Sequence, residues 1–255
     1  MRKILGYRSF VIDLEGTLYV GSNPVEGAQE VIECLRKKGY KFRFVTNTTR
    51  RSRSSLCKRL QNFGFKVSEN EIFSAPVSAA YYVKKRAEEL GCEAKCFLLT
   101  TGDTFLDFMS LNITLTEENP SFVVVGDAGE KFTHETLTKA FRFIMQGAEL
   151  VAMEKDRYWM SSNGLELSAG PFVSALEYAT GKKAILVGKP SKDFFLSALN
   201  DMNVKPEEAV VVGDDIFSDI TGGKKLGMLG ILVKTGKYKE EDVISCLLYT
   251  SPSPR

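Results

Sequence analysis

The sequence predicts an α/β fold built on a Rossmann-like parallel sheet. Two observations carry this prediction. Short β-branched runs alternate with helical patterns, as in consecutive βαβ units, and these runs are hydrophobic throughout, as expected for strands covered on both faces. Five runs show this pattern, at residues 9–13, 42–46, 121–126, 184–187 and 209–213. Each is therefore assigned to a buried strand.

Three stretches between these strands repeat apolar residues at helical spacing, and each ends near a glycine that can cap a helix. The stripes and their glycines are Ala28, Val31, Ile32 and Leu35 before Gly39; Leu56, Leu60 and Phe63 before Gly64; and Leu137, Ala140, Phe141 and Ile144 before Gly147. We expect these stripes to pack on the sheet as core faces.

Composition excludes several classes of protein. The chain has 255 residues, of which 44% are hydrophobic and 26% are charged, and this excludes a disordered or coiled-coil protein. The net charge of +2 is too small to indicate nucleic acid as a partner. Because His134 is the single histidine, zinc sites that need two or three imidazoles are excluded as well.

The sequence favours a cytoplasmic location. Its five cysteines are odd in number and scattered, which is typical of reduced thiols. The first residues are basic, but no apolar signal segment follows them, and no stretch approaches the roughly 18 apolar residues of a membrane span. We therefore expect no membrane association.

Polar residues follow four of the five predicted strands. The segments are Asp13-Leu14-Glu15-Gly16-Thr17 after the first strand, Thr46-Asn47 after the second, Gly188-Lys189-Pro190 after the fourth, and Gly213-Asp214-Asp215 with Asp219 after the fifth. In open α/β sheets, ligands bind outside the carboxyl ends of the strands. We therefore expect these carboxylates, the ammonium and the hydroxyl to meet at one edge of a sheet.

This set of groups suits phosphoryl transfer assisted by Mg²⁺. A hard cation prefers oxygen ligands and often binds only one or two protein carboxylates, which Asp13 and Asp214 provide. A carboxylate can also act as a nucleophile and form an aspartyl-phosphate, while Lys189 and the metal neutralise charge on the transferring group. Thr46 and nearby backbone N–H groups can hold phosphate oxygens at the start of the following helix.

The four segments, in this order, resemble the four motifs of the haloacid dehalogenase (HAD) superfamily of phosphatases. The resemblance covers nearly the whole chain. The long spacer between Thr46 and Lys189 resembles the large cap insertion of the NagD-like subfamily, and residues 126–130, 164–165, 170–171 and 175–180 resemble two kinds of member within it. The resemblance implies a HAD-like catalytic core at residues 1–78 and 184–245, with an inserted α/β cap domain at 79–183.

The resemblance also implies catalytic and substrate-binding roles. It makes Asp13 the nucleophile, and it gives Lys189 the stabilisation of charge on the substrate. Thr46 becomes a phosphate-binding residue, and Asn47 matches a second polar position of the same phosphate cradle. Glu15 occupies the position of the general acid and base.

The same resemblance implies a Mg²⁺ site. Asp13 is then a metal ligand as well as the nucleophile, and the backbone carbonyl of Glu15 is a further ligand. Asp214 is the carboxylate that holds Mg²⁺, and Asp219 supports the site directly or through water. The role of Asp215 stays open.

Glu15 departs from the pattern of the superfamily. Most of its phosphatases have Asp two residues after the nucleophile, where it protonates the leaving group and then activates water. Glu carries the carboxyl on one more methylene, and a misplacement of about 1 Å can cost on the order of 10²-fold in rate. We therefore expect pyrophosphate, phosphohistidine or phospholysine, whose leaving groups depart easily, to be better substrates than alkyl phosphate esters.

Two functions stay open at this point. The first is an Mg²⁺-dependent phosphohydrolase for a small phosphorylated metabolite or a phosphorylated side chain. The alternative is a catalytically weak protein of the same fold that binds phosphorylated ligands or a partner protein. A homodimer is an open oligomeric state for either function.

Other residues have competing interpretations. Arg50, Arg51 and Arg53 favour a solvated helix turn over an anion-attracting surface, and His134 favours a surface or capping role. The segment at 158–160, Tyr-Trp-Met, either lines the substrate entrance or packs the sheet of the cap. Residues 246–255 carry two Ser-Pro steps and match no core pattern, which indicates either a disordered native terminus or a non-native segment.

Overall fold

The computed structural model describes residues 6–161 and 164–243. Its strands are β1 (Ser9–Asp13), β2 (Tyr19–Val20), β3 (Asn23–Pro24), β4 (Lys41–Thr46), β5 (Ile72–Ser74), β6 (Lys95–Leu99), β7 (Thr114–Leu115), β8 (Phe122–Val125), β9 (Glu149–Ala152), β10 (Tyr158–Ser161), β11 (Gly164–Leu167), β12 (Ile185–Leu186), β13 (Ala209–Gly213) and β14 (Leu229–Leu232). This content confirms the predicted α/β class.

The helices connect these strands in the order expected of βαβ units. They are α1 (Ala28–Lys37), α2 (Arg53–Asn62), α3 (Ala75–Leu90), α4 (Phe105–Met109), α5 (His134–Met145), α6 (Ala169–Thr180), α7 (Lys192–Met202) and α8 (Gly222–Lys224), with a π-helix at Ile216–Thr221 immediately before α8. Within the described ranges, no helix combines the length and the apolar character that a membrane span needs.

The chain forms two compact units. Within the described residues, the first unit comprises 6–46, 59–72 and 189–243, and the second comprises 47–58 and 73–188. The catalytic core and cap that the sequence indicated, with their boundaries, stay a prediction. The segment at 246–255 lies outside the described residues.

The sheet of the first unit has the strand order β14-β13-β1-β4-β5. Strand β1 runs parallel to both β13 and β4, and β13 runs parallel to β14. The central strands are buried, with Val11, Phe44 and Val211 completely inaccessible to solvent. The predicted strands at 9–13 and 209–213 are found at those residues, and β4 begins one residue before the predicted 42–46.

The register of this sheet brings three strand ends together. Asp13 lies opposite Val45 of β4, and the preceding Ile12 lies opposite Val212 of β13. Because the strands are parallel, the residues that follow each of these positions emerge at the same edge. The carboxyl ends of β1, β4 and β13 therefore build one polar edge.

The second unit contains a second five-stranded sheet, in the order β12-β9-β8-β6-β7, whose paired strands are all parallel. Both faces of this sheet are buried. Val83 of α3 belongs to the core on one face, and Ile144 of α5 with Val173 of α6 to the core on the other. A separate antiparallel hairpin is formed by β10 and β11.

The strand expected at 184–187 belongs to the second sheet, so the expectation that it would end beside the other three strands was wrong. It is reduced to Ile185–Leu186 of β12, and it pairs with β9. A continuous apolar run shows that a strand is buried, but it does not show which of two sheets buries it. Lys189, three residues later, belongs to the first unit.

Hydrogen bonds hold the segment Asn47–Lys58 within the second unit. The carbonyl of Thr49 accepts from the hydroxyl of Thr104 at 2.6 Å. The carboxylate of Asp103 accepts from the backbone N–H of Ser52 at 2.8 Å and from its hydroxyl at 2.6 Å. Since Ser52 directly precedes α2, the Asp103 carboxylate satisfies a backbone donor that a helix leaves unpaired at its start.

Replacing Phe44 tests the core of the first unit. Phe44→Ala should lower the free energy of unfolding by about 3–5 kcal/mol, because the removed ring is fully buried in β4 and leaves a cavity. Urea unfolding followed by circular dichroism measures the change. The matched control is Val31→Ala on α1, where the side chain is 58% exposed and the change should stay within about 0.5 kcal/mol. Similar losses in both variants would contradict the assignment of Phe44 to the core.

Candidate active site

Three buried carboxylates converge at the polar edge of the first sheet. Asp13 is the last residue of β1, Asp214 directly follows β13, and Asp219 lies in the π-helix. They are 5%, 2% and 0% exposed. One oxygen from each lies within 4.8 Å of one oxygen from each of the other two. The structure thus brings together all three aspartates to which the sequence assigned a metal.

The ammonium of Lys189 lies among these carboxylates. Lys189 is 3% exposed, and its Nζ donates to Oδ1 of Asp219 at 2.7 Å and to Oδ1 of Asp13. Burial by itself would lower the pKa of Lys189, but the attraction of these two carboxylates raises it above its ordinary value. Lys189 is therefore held in the charged form, next to the residue expected to be the nucleophile.

The three carboxylates of this cluster carry more negative charge than the ammonium of Lys189 balances. Burial, and after it repulsion by Asp13, raise the pKa of Asp214 to about 6, against a hydrogen bond from the backbone N–H of Lys237 that lowers it. A divalent cation with oxygen ligands would relieve this repulsion. The donor set therefore fits Mg²⁺.

Thr17 is a member of the site to which the sequence analysis assigned no role. Its hydroxyl donates to Oδ2 of Asp13 at 3.2 Å and lies 3.4 Å from Oδ1 of Asp214. Thr17 therefore orients the carboxylate oxygen of Asp13 that is not bound to Lys189. Thr17 is only four residues after Asp13 in the sequence. The tight turn between them brings its hydroxyl back to the end of β1.

Two glycines allow the backbone to close around Asp214. Gly16 has φ +97° and Gly236 has φ +56°, and a Cβ on either would overlap the Asp214 carboxylate. The loop of Gly236 also contributes the backbone N–H of Lys237, which donates to Oδ2 of Asp214 at 2.6 Å. The sequence could not reveal this loop, because a Thr-Gly-Lys turn after the last strand does not indicate in which direction the chain folds back.

Asp215 shapes the π-helix that carries Asp219. Its Oδ1 accepts from the backbone N–H groups of Phe217 at 2.9 Å and Ser218 at 3.0 Å. Its own N–H donates to Oδ2 of Asp219 at 3.3 Å. Burial would raise the pKa of Asp215, but Lys237 and the two backbone donors outweigh it, and the pKa lies below its usual range. Asp215, whose role the sequence left open, therefore caps the start of the π-helix.

The remaining candidate residues lie in different surroundings. Thr46 is 2% exposed and follows Val45, the residue opposite Asp13. The side chain of Glu15 is exposed. Asn47 lies in the second unit, where its amide oxygen occupies space that a side chain on Gly188 would need. The roles assigned to these three residues stay predictions.

Arg50 is not the solvated side chain that the sequence favoured. Its guanidinium donates to both carboxylate oxygens of Asp127, at 2.9 and 3.0 Å. It also lies 5.0 Å from the centre of the Trp159 ring, in a cation–π contact. The partners are far from Arg50 in sequence, so a local charge pattern could not indicate them. His134, by contrast, is exposed at the first turn of α5.

Comparison with known proteins shows two family matches. The model of the haloacid dehalogenase-like hydrolases matches residues 10–111, and a HAD-hydrolase-like model matches residues 186–251. The chain is 44% identical over 241 residues to haloacid dehalogenase-like hydrolase domain-containing protein 2 of Rattus norvegicus, covering 94% of this chain and 88% of that protein.

A second relative is named for its substrates. The chain is 37% identical over 244 residues to phospholysine phosphohistidine inorganic pyrophosphate phosphatase of Xenopus laevis, covering 93% of this chain and 87% of that protein. Among solved structures, NagD of E. coli K-12 superimposes with a TM-score of 0.84 at 26% identity, covering 98% of this chain and 94% of that one. These similarities confirm the resemblance to the NagD-like members of the superfamily.

Replacing Asp214 tests the repulsion within the site. A carboxyl whose pKa rises on folding stabilises the folded state at low pH, and this contribution is lost as the pH rises from about 4 through 6. In EDTA, Asp214→Asn should therefore be more stable than the unmodified protein, by about 3 kcal/mol at pH 8 and about half as much at pH 5. Urea unfolding at the two pH values measures both differences.

The matched control for this experiment is Asp193→Asn, which neutralises an exposed carboxylate on α7. It should change the stability by less than about 0.5 kcal/mol at either pH. A gain in Asp214→Asn that is equal at pH 5 and pH 8 would show that packing, and not charge, limits stability at this position.

Proposed function

This chain belongs to the haloacid dehalogenase-like hydrolases and is a phosphatase, and we propose that it transfers the phosphoryl group to Asp13 with the help of Mg²⁺. The observation that carries the proposal is the buried cluster of Asp13, Asp214 and Asp219 around the ammonium of Lys189. A carboxylate nucleophile, a fixed positive charge and an oxygen-rich cation site are the groups that this chemistry requires.

Asp13 attacks phosphorus through a carboxylate oxygen, and the bond from phosphorus to the leaving group breaks as the aspartyl-phosphate forms. Lys189 donates to Oδ1 of Asp13 and neutralises charge on the phosphoryl oxygens. Thr17 holds Asp13 in position by its hydrogen bond. Thr46, at the end of the neighbouring strand, binds a phosphoryl oxygen, and Asn47 provides a second polar contact. Water then attacks phosphorus and loses a proton, the bond from phosphorus to the Asp13 oxygen breaks, and inorganic phosphate leaves with the Asp13 carboxylate restored.

The metal site would be formed by Asp13, Asp214 and the backbone carbonyl of Glu15, with Asp219 as a direct or water-mediated partner. When bound, Mg²⁺ supplies positive charge that polarises the phosphoryl group and balances the carboxylates. Asp219 is also held by Lys189 and by the N–H of Asp215, so its carboxylate is oriented before any cation arrives.

The substrate class follows from Glu15. We propose that its longer, exposed side chain is a weak general acid, so that pyrophosphate and phosphoramidates are hydrolysed faster than alkyl phosphate esters. The name of the Xenopus laevis relative, which specifies phospholysine, phosphohistidine and inorganic pyrophosphate, supports this choice. The substrate is then a small phosphorylated molecule or a phosphorylated side chain.

Replacing Asp13 tests the nucleophile and the metal together. We expect phosphate release from pyrophosphate to require Mg²⁺, to stop on addition of EDTA, and to fall by at least about 10³-fold in Asp13→Asn, because no other group in the scheme attacks phosphorus. Asp193→Asn, which neutralises an exposed acid, should keep the activity of the unmodified protein.

Two outcomes of that experiment would contradict the proposal. Turnover that persists in Asp13→Asn would assign the nucleophile to another residue. A folded protein that binds inorganic phosphate in calorimetry, yet releases none from pyrophosphate, phosphohistidine, phospholysine or phosphate esters, would favour the alternative of a binding protein.

Shortening Glu15 tests the origin of the substrate preference. Glu15→Asp should raise kcat for alkyl phosphate esters by about 10-fold or more, because the carboxyl moves to the distance usual in this superfamily. Hydrolysis of pyrophosphate should change less, since its leaving group needs less protonation. Glu30→Asp, an exposed acid on α1, serves as the matched control. Equal changes on both substrate classes would refute the argument from leaving groups.

A further inference from the structure

The hairpin of β10 and β11 is anchored at its base by one buried carboxylate. Glu154 lies between β9 and β10 and is only 2% exposed. It belongs to the second unit, and no sequence pattern singles it out. A carboxyl group this deeply buried needs hydrogen-bond partners to compensate for lost water.

These partners come from both ends of the hairpin. Oε1 of Glu154 accepts from the hydroxyl of Ser168 at 2.7 Å and from the backbone N–H of Ala169 at 2.9 Å. Oε2 accepts from the backbone N–H of Asp156. Asp156 precedes β10, whereas Ser168 and Ala169 follow β11 and begin α6. One side chain therefore joins the entry and the exit of the hairpin.

The backbone around Glu154 is closely packed. The N–H of Gly170 donates to the carbonyl of Asp156 at 3.0 Å, and a Cβ on Gly170 would lie 2.5 Å from that oxygen and 2.6 Å from the carbonyl of Lys155. The N–H of Ser168 donates to the carbonyl of Arg157 at 3.3 Å. The base of the hairpin thus has little room to rearrange without losing these bonds.

The charges near Glu154 do not favour its ionised form. Burial, and after it the like charge of Asp156, raise the pKa of Glu154 to about 7, against the hydrogen bonds from Ser168, Ala169 and Asp156 that lower it. The neighbouring Lys155 is engaged by Glu177 of α6 at 2.7 Å. Within the described residues, Glu154 forms no ion pair, so its charge changes in the neutral pH range.

We infer that Glu154 is a positioning residue whose ionised carboxylate holds the hairpin, and with it Trp159, and whose protonation loosens that hold. An ionised carboxylate accepts hydrogen bonds at both oxygens, which matches the three donors that surround it. A protonated carboxyl carries an O–H on one oxygen and accepts more weakly there, so either the Asp156 side or the α6 side is held less well. This inference does not depend on the proposed phosphatase mechanism.

Trp159 lies in β10 and reports directly on this hairpin. It is the one tryptophan of the chain, and its ring contacts the guanidinium of Arg50. Its indole N–H is buried and has no hydrogen-bond partner among the residues that the structure describes, so a shift of the hairpin changes the surroundings of the fluorophore. Intrinsic tryptophan fluorescence from pH 5 to pH 9 therefore measures the proposed movement without any substrate.

The unmodified protein should show one fluorescence transition with a midpoint near pH 7. In Glu154→Gln the transition should be absent, because the amide does not titrate. In Asp156→Asn the midpoint should move to lower pH by about half a unit or more, since a repelling charge is removed. His134→Gln removes the one histidine of the chain and serves as the control, and it should leave the transition unchanged.

The inference is overturned if the unmodified protein shows no transition, if Glu154→Gln retains it, or if His134→Gln abolishes it. Circular dichroism establishes that each variant is folded. If Glu154→Gln does not fold, Asp156→Asn decides the question, because Glu154 is still present in that variant and only a midpoint that moves to lower pH supports the assignment.

Discussion

Electrostatic repulsion among three buried carboxylates organises the carboxyl edge of the first sheet. Asp13, Asp214 and Asp219 lie close together with one ammonium between them, and an arrangement of this kind persists only where its backbone is firmly held. The parallel register of β1 with β4 and β13 provides that support. The loop at Gly236 adds a neutral donor, because the backbone N–H of Lys237 approaches Asp214 without adding a further side chain to the cluster.

The strands of the first sheet and the main site residues could be predicted from the sequence for one physical reason. Apolar runs identify buried strands, and parallel strands of one sheet present their carboxyl ends at one edge, so Asp13 and Asp214 were expected at the same edge once their strands were recognised. Thr17, Gly236 and Lys237 reach the site through turns, whose direction depends on backbone dihedral angles. The expectation that the run at 184–187 would join the first sheet was wrong, because a short apolar run fits either sheet equally well.

The sequence also could not reveal contacts between polar residues that lie far apart along the chain. The contacts of Arg50 with Asp127 and of Glu154 with Ala169 join segments that lie 77 and 15 residues apart. A charged residue in a sequence is ordinarily expected at the surface, and only tertiary structure can bury it with suitable partners. Such groups give the second unit polar contacts in addition to a core of ordinary apolar packing.

The π-helix at Ile216–Thr221 restricts how this part of the chain can change. Asp219 lies in the first turn of this π-helix, four residues after Asp215, and from there its carboxylate reaches Lys189 and the N–H of Asp215. Loss of one residue between Asp215 and Asp219 would rotate the carboxylate by about 100° around the helix axis and move it away from these partners. This stretch can therefore exchange exposed side chains such as Phe217 freely, whereas its length cannot vary by even one residue.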